Sequence, residues 1–313
     1  MGKGLSASRD ELMMWAIRKG LDFSEDRDKI EKERLRREKI SETKNNKKDK
    51  TNDNKKDKTK YGVNPVHAQK EEKKDQEIRK KLGSNYERVK QELNDIIKNS
   101  EFGTYRSLRS AIDIINSHFK SLVETGTSSG SSYTPARIDN ENEWFGTAKD
   151  SSPEEFAKYG MLVSSDLVKA MNESPHYGAY SGGGQVLVTF KKDAVFGNAT
   201  LTTSDSLDYK STGFIPSTIT KDGIASLAGI AERDITRFSL SKDRDGTDYY
   251  ARRGLDHYLE VQFHGNYGAK QIDKMVLGSP SQTIPKSIVS KLESYGGKVY
   301  RTDGRKLILY HGD

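Results

Sequence analysis

Apolar residues first recur at helical spacing close to the start of the chain. After Ser8, the residues Leu12, Met13, Ala16, Ile17 and Leu21 fall on one face over 8–22, which predicts a short amphipathic helix with a serine N-cap. Trp15 beside that face suits docking on a partner, or loose packing of a terminal helix. EDRDKIEKERLRREKISE (25–42) is charged on every side and can persist only as a solvated helix. SETKNNKKDKTNDNKKDKTK (41–60) has no apolar residue, and its eight lysines against four acids predict a disordered linker.

Order returns after Glu71. Ile78, Leu82, Tyr86, Val89, Leu93 and Ile96 recur in steps of three and four and predict one apolar seam. Leu108, Ile112, Ile115, Phe119 and Leu122 repeat the pattern after the break EFGT (101–104). The two helices pair with each other, or the first forms a coiled coil with another chain.

Beyond residue 130 the texture changes. QVLVTF (185–190), ATLTT (199–203), HYLEVQF (257–263) and KLILY (306–310) are β-rich runs bounded by turn residues. Helical patterns lie at 152–163, 223–235 and 285–296. Strands and helices do not alternate regularly, so the fold class expected is α+β rather than a doubly wound sheet. Three regions are expected: an arm over 1–64, a helical region over 65–123 and an α+β domain over 124–313.

Charge sharpens this division. Residues 1–100 hold 28 Lys/Arg against 20 Asp/Glu, a balance of +8, whereas the remaining residues hold 25 against 26. The basic character belongs to the N-terminal third, and an acidic partner such as DNA meets that segment first. No run approaches 18 apolar residues, so no membrane span is expected. The first twenty residues carry neither a signal-peptide core nor a good myristoylation pattern. Cysteine is absent, which removes disulfides, thiolate metal sites and cysteine nucleophiles. Phosphate-binding loops of the GxxxxGK[ST] type, GxGxxG, HExxH and GxSxG are missing too, and no metal site is expected.

Three stretches remain that can carry chemistry. VETGTSSGSS (123–132) is either a flexible spacer or a backbone cradle for an anion, with Thr125, Gly126, Thr127 and Ser128 at its centre. Arg137 follows it and can offer phosphate a planar fork, and Trp144 stands shortly after in EWFG. NATLTTSDS (198–206) is a strand running into a turn. In HYLEVQFHG (257–265), Glu260 and Gln262 share one strand face, opposite Leu259, Val261 and Phe263. An acid beside an amide can grip a ribose or steady a developing cation; the same face can equally be a wet side of the sheet.

Taken in order, FKSLVETGTSSG…R…EWFG, then KYGMLV…HYGAY…VLVTFKKDAVFGNATLTTSDSL, then HYLEVQFHG…IDKMVLGSP resembles a bacterial and phage domain family of unassigned function. Its members stand alone or at the C-termini of phage head-morphogenesis (Mu F-like minor head) proteins. The resemblance spans roughly residues 119–280, and the family is in turn similar to the ADP-ribosyltransferase superfamily. It implies split mixed and antiparallel sheets with flanking helices, and NAD as substrate between them. It further implies that Glu260, with Gln262, holds the nicotinamide ribose and stabilises an oxocarbenium-like transition state. Thr125, Gly126, Thr127, Ser128 and Trp144 would wall the pocket and Arg137 would hold phosphate. This chain departs from the superfamily in the order Glu260-Val261-Gln262, in Lys120 where relatives carry arginine, and in HYGAYSGGG in place of RFGS. Two functional settings follow: a phage minor head or ejected virion protein whose first hundred residues contact portal, capsid or packaged DNA, or a free bacterial or prophage toxin acting on a protein target. The corresponding locations are the interior of the virion head and the host cytoplasm.

Overall fold

The apolar seam from Ile78 onward folds as two helices rather than one. The computed structural model describes residues 65–313 except 129–130, 133–134, 148–151, 153–154, 164–184, 205, 207–212, 232–233, 236–258 and 303–306. The helices expected over 8–22 and 25–42, the lysine-rich linker and the HYGAY segment lie outside the described residues. Helix α1 (Pro65–Leu82) ends in a 3-10 turn at Gly83–Asn85, and α2 (Tyr86–Asn99) follows at once. The turn keeps the stripe on one side: Ile78, Leu82, Tyr86, Val89, Leu93 and Ile97 are all buried. Ile97 takes the last inward place that the spacing gave to Ile96. These side chains enter the main hydrophobic cluster of this chain, so no second chain is needed to cover the seam.

The break read at EFGT is itself a strand. β1 (Glu101–Ser107) leads directly into α3 (Leu108–Asn116), whose first turn is capped by the Ser107 side chain accepting from Ser110 N. A four-residue helix α4 (Leu122–Thr125), the two-residue strands β2 (Thr127–Ser128) and β3 (Ser131–Ser132), and helix α5 (Pro135–Phe145) come next. Then follow β4 (Lys158–Val163), β5 (Gln185–Phe190), α6 (Lys192–Val195), β6 (Ala199–Thr202), β7 (Ser217–Thr220), β8 (Gly223–Ile224) and β9 (Glu260–Phe263). β10 (Ile272–Leu277), α7 (Lys286–Glu293), β11 (Lys298–Thr302) and β12 (Leu307–Leu309) complete the chain.

Ten of these strands make one sheet in the order β12-β11-β10-β5-β1-β4-β9-β6-β7-β8, with β2 and β3 as a separate ribbon. Only β10 and β11 run parallel; every other described pair is antiparallel. The α+β class is thus observed as a single open, mostly antiparallel sheet with helices, where split sheets were expected. Its two halves meet at β1 and β4, which pair only over Glu101↔Val163, Phe102↔Leu162 and Gly103↔Met161. Glycine is required there. A Cβ on Gly160 would stand 2.3 Å from Gly103 O and 2.7 Å from Phe263 Cε2.

Two expectations are corrected. The central strand β1 comes from the region expected to be purely helical, because a glycine-containing run of seven residues looks like a helix break. Neither helical pattern holds throughout: the one at 152–163 ends in β4, buried along its whole length, and the one at 223–235 begins with β8 and is helical only at Asp234–Ile235 among its described residues.

Register assigns the two faces of the sheet. Val261 and Phe263 of β9, Leu201 of β6, Phe102 of β1 and Val188 of β5 join the seam of α1 and α2 in the main core. The other face of β9 carries Glu260 and Gln262, opposite Thr202 and Thr200 on β6 and opposite Met161 and Tyr159 on β4. There a second cluster packs Leu122, Trp144, Phe145, Ala157, Tyr159 and Phe214. No described helix is long and apolar enough to cross a membrane.

Candidate functional site

β9 lies between β4 and β6, and period-two alternation turns Glu260 and Gln262 to one side, which His264 continues just past the end of the strand. That side is not wet. Glu260 is 1% exposed and Gln262 and Thr200 are fully buried. Buried polar atoms must find partners, and these find one another. Thr200 Oγ1 donates to Gln262 Oε1 at 2.9 Å, while Gln262 Nε2 donates to Glu260 Oε1 at 2.9 Å and to Thr202 Oγ1 at 3.2 Å. Thr202 passes its own proton to Ser204 O at 2.8 Å, and Ser206 N donates to Glu260 Oε1 at 3.3 Å.

Proton counting fixes the direction of this chain. Thr200 has one hydroxyl proton, spent on Gln262, so the contact between Thr200 Oγ1 and His264 Nε2 at 3.1 Å requires the histidine to donate. Burial drives the His264 pKa down to about 3, helped by the nearby His67 and Lys158, so the ring is neutral at physiological pH. Its single proton therefore sits on Nε2. The donor sequence His264, Thr200, Gln262, Glu260 ends on the Glu260 carboxyl, with the Gln262 amide nitrogen turned toward it.

Helix α5 borders this face. The Phe145 ring meets the His264 ring edge-on, centroids 4.5 Å apart. Glu141, 1% exposed, accepts from Tyr159 Oη at 2.6 Å and from Ala157 N at 3.0 Å. Tyr159 is the cross-strand partner of Gln262, so a second buried carboxylate stands one strand away from the first. His67 of α1 reaches Trp144 O at 2.9 Å, and Lys70 donates to Glu143 O, which covers carbonyls at the C-terminal end of α5.

The predicted site residues divide into three groups. Glu260 and Gln262 are adjacent and bonded. Trp144 is fully buried against Phe145 and Phe214, so it is a core side chain of the helix that flanks the site. Thr125 and Gly126 end α4: Ser121 and Glu124 form a capping box, Gly126 takes the left-handed conformation at φ 69°, and Thr125 Oγ1 donates to Ser121 O at 3.1 Å. ETG is therefore a helix terminus and not a loose spacer, and Leu122 anchors it in the cluster that holds Trp144 and Tyr159. Thr127 and Ser128 pair with Ser132 and Ser131, and Arg137 stands on α5 one turn before Glu141; their side chains lie outside the described part.

Sequence reasoning missed Thr200, Thr202, Tyr159, Glu141 and His264. A signal existed for two of them: His264 continues the spacing of Glu260 and Gln262, and Thr200 alternates with Leu201. Nothing local marks Glu141 or Tyr159. Among the described residues, no group of three potential ligands stands close enough to hold a metal ion. Compared with models of known protein families and with curated proteins, the chain matches none.

Proposed function

We propose that this chain is a minor head or ejected virion protein whose folded unit is ADP-ribosyltransferase-like and cleaves NAD at the nicotinamide–ribose bond. One observation carries the catalytic reading. Glu260 is a carboxylate held in a water-poor setting by Gln262 Nε2 and Ser206 N, with its amide partner locked in turn by Thr200. Such preorganisation suits stabilising a cation that exists only in the transition state, because the carboxylate needs no reorientation as charge develops.

In this reading the glycosidic C–N bond breaks and nicotinamide leaves with the electron pair. Glu260 faces the positive charge that grows on the ribose. Water or a side chain of the target then attacks the anomeric carbon and gives its proton to solvent. Gln262 serves as the positioning residue for Glu260. Since Glu260 is 1% exposed, the face must open before a ribose reaches it.

The virion setting is supported by the resemblance of residues 119–280 to the phage domain family and by the balance of +8 over residues 1–100. A cationic arm binds packaged DNA through phosphates, with affinity that drops steeply with salt. The full chain should release nicotinamide from NAD, and Glu260→Gln should stop it; equal turnover by both proteins removes the catalytic assignment. Mass spectrometry of purified particles tests the setting. Recovery of the chain in virions supports it, and absence from them favours a free effector.

A further inference from the structure

A surface around α6 gathers five lysines at the ends of four segments. Lys191 precedes and Lys192 opens α6, Lys98 lies in the last turn of α2, Lys270 sits in the 3-10 turn Ala269–Gln271, and Lys291 lies in the last turn of α7. Their contacts tie them to one surface. Lys191 Nζ donates to Tyr295 O at 2.6 Å, and Lys192 Nζ donates to Lys98 O at 2.6 Å. Lys270 Nζ lies 5.6 Å from the Tyr295 ring centroid, and Lys291 Nζ reaches Asn116 Oδ1 at 3.4 Å.

Among the described residues, none of the five makes an ion pair. Two nearby acids are engaged elsewhere: Glu293 stands 3.4 Å from His311, and Asp193 Oδ1 accepts from Ala194 N at 2.9 Å. Neutralising the negative ends of α2 and α7 accounts for Lys192 and Lys191. Lys98 and Lys291, in the last turns of the same two helices, fit that account too; Lys270 does not, nor does the Tyr295 ring, which is 39% exposed beside it. The cluster is not a by-product of a basic domain either, since residues 101–313 hold 25 Lys/Arg against 26 Asp/Glu.

We infer that this surface binds single-stranded nucleic acid, with phosphates on the lysines and a base stacked on Tyr295. Lysines without an acidic partner around an exposed aromatic ring are what such a strand needs: cations for its backbone and a flat apolar face for its bases. The site is separate from the N-terminal arm, and it is independent of the NAD reading.

The test uses the full chain and a labelled oligothymidine of about 16 nucleotides. Acetylation footprinting should show Lys191, Lys192, Lys270 and Lys291 protected by the oligonucleotide, while Lys221 on the β7–β8 turn stays reactive. The variant with these four lysines changed to glutamine should flatten the salt dependence, lowering its log–log slope by about 3 at about 0.7 per lost phosphate contact. Lysine-to-arginine changes at the same four positions should preserve binding. Tyr295→Ala should weaken the oligonucleotide about tenfold and leave heparin, which has no bases, unaffected. Protection confined to residues 1–64 overturns the inference, and so does an unchanged slope in the glutamine variant. Should that variant not fold, the footprint on the natural chain decides alone.

Discussion

Replacing Glu71 with glutamine measures how firmly α1 is held against the sheet. Glu71 is buried, and its carboxylate accepts from Thr218 N at 2.9 Å, Thr218 Oγ1 at 2.6 Å and Ser226 Oγ at 2.6 Å, with His67 Nε2 3.5 Å away. Hydrogen bonds to a charged acceptor contribute about 1.5–3 kcal/mol each. Glutamine keeps one oxygen, which serves Thr218 N and Ser226, but it presents an amide to the Thr218 hydroxyl and removes the charge. The expected loss is about 2 kcal/mol. Alanine removes every acceptor from buried donors, and the loss should rise to about 4 kcal/mol.

The pH dependence has a definite sign. Burial pushes the Glu71 pKa up, but the bonds from His67, Ser226 and Thr218 outweigh it and hold the carboxyl below the usual glutamate range. A depressed folded-state pKa contributes stability that is complete above the unfolded-state value and disappears as pH falls through the folded-state one. Urea melts of the natural chain and Glu71→Gln should therefore differ most near neutral pH, and the gap should close on acidification. Equal stabilities at neutral pH, or a gap that does not narrow in acid, would refute this reasoning.

Other outcomes follow from the same contacts. Thr200→Val strips partners from Gln262 Oε1 and from the His264 Nε2 proton, so it should cost about 1–3 kcal/mol in a denaturant melt. In the NAD assay the same change should lower kcat more than it alters KM, because it loosens the positioning of Glu260. Gly160→Ala forces a methyl to within 2.3 Å of Gly103 O at the junction of the half-sheets, and thermal melting should report a loss of about 3 kcal/mol. Deleting residues 1–64 should abolish the salt-steep affinity for duplex DNA; binding that survives the deletion unchanged places that function elsewhere.

How much of this was legible in sequence depended on whether a pattern was local. The seam from Ile78 to Leu93 shows its period within a few residues, QVLVTF and ATLTT are β-rich runs between turn residues, and all are found as such. β1 was hidden because Gly103, which the sheet needs for close approach, reads as a break. β4 was hidden because Ser152, Pro153 and Glu154–Glu155 ahead of it read as a helix start that runs on through KYGMLV. The Glu260–Gln262 pair was visible from strand spacing alone. The residues that complete it come from β6, β4 and α5, up to 119 positions away at Glu141, and no pattern within one segment announces such a partnership.

The central claim is that Glu260 carries catalysis, and nicotinamide release by the full chain and by Glu260→Gln tests it most directly. Gln262 can still donate to a glutamine carbonyl at that position, so the variant should fold with a nearly unchanged urea midpoint. The account predicts turnover in the natural chain and at least a hundredfold loss, about 2.7 kcal/mol of barrier, in the variant. Matched turnover in two equally folded proteins would contradict it.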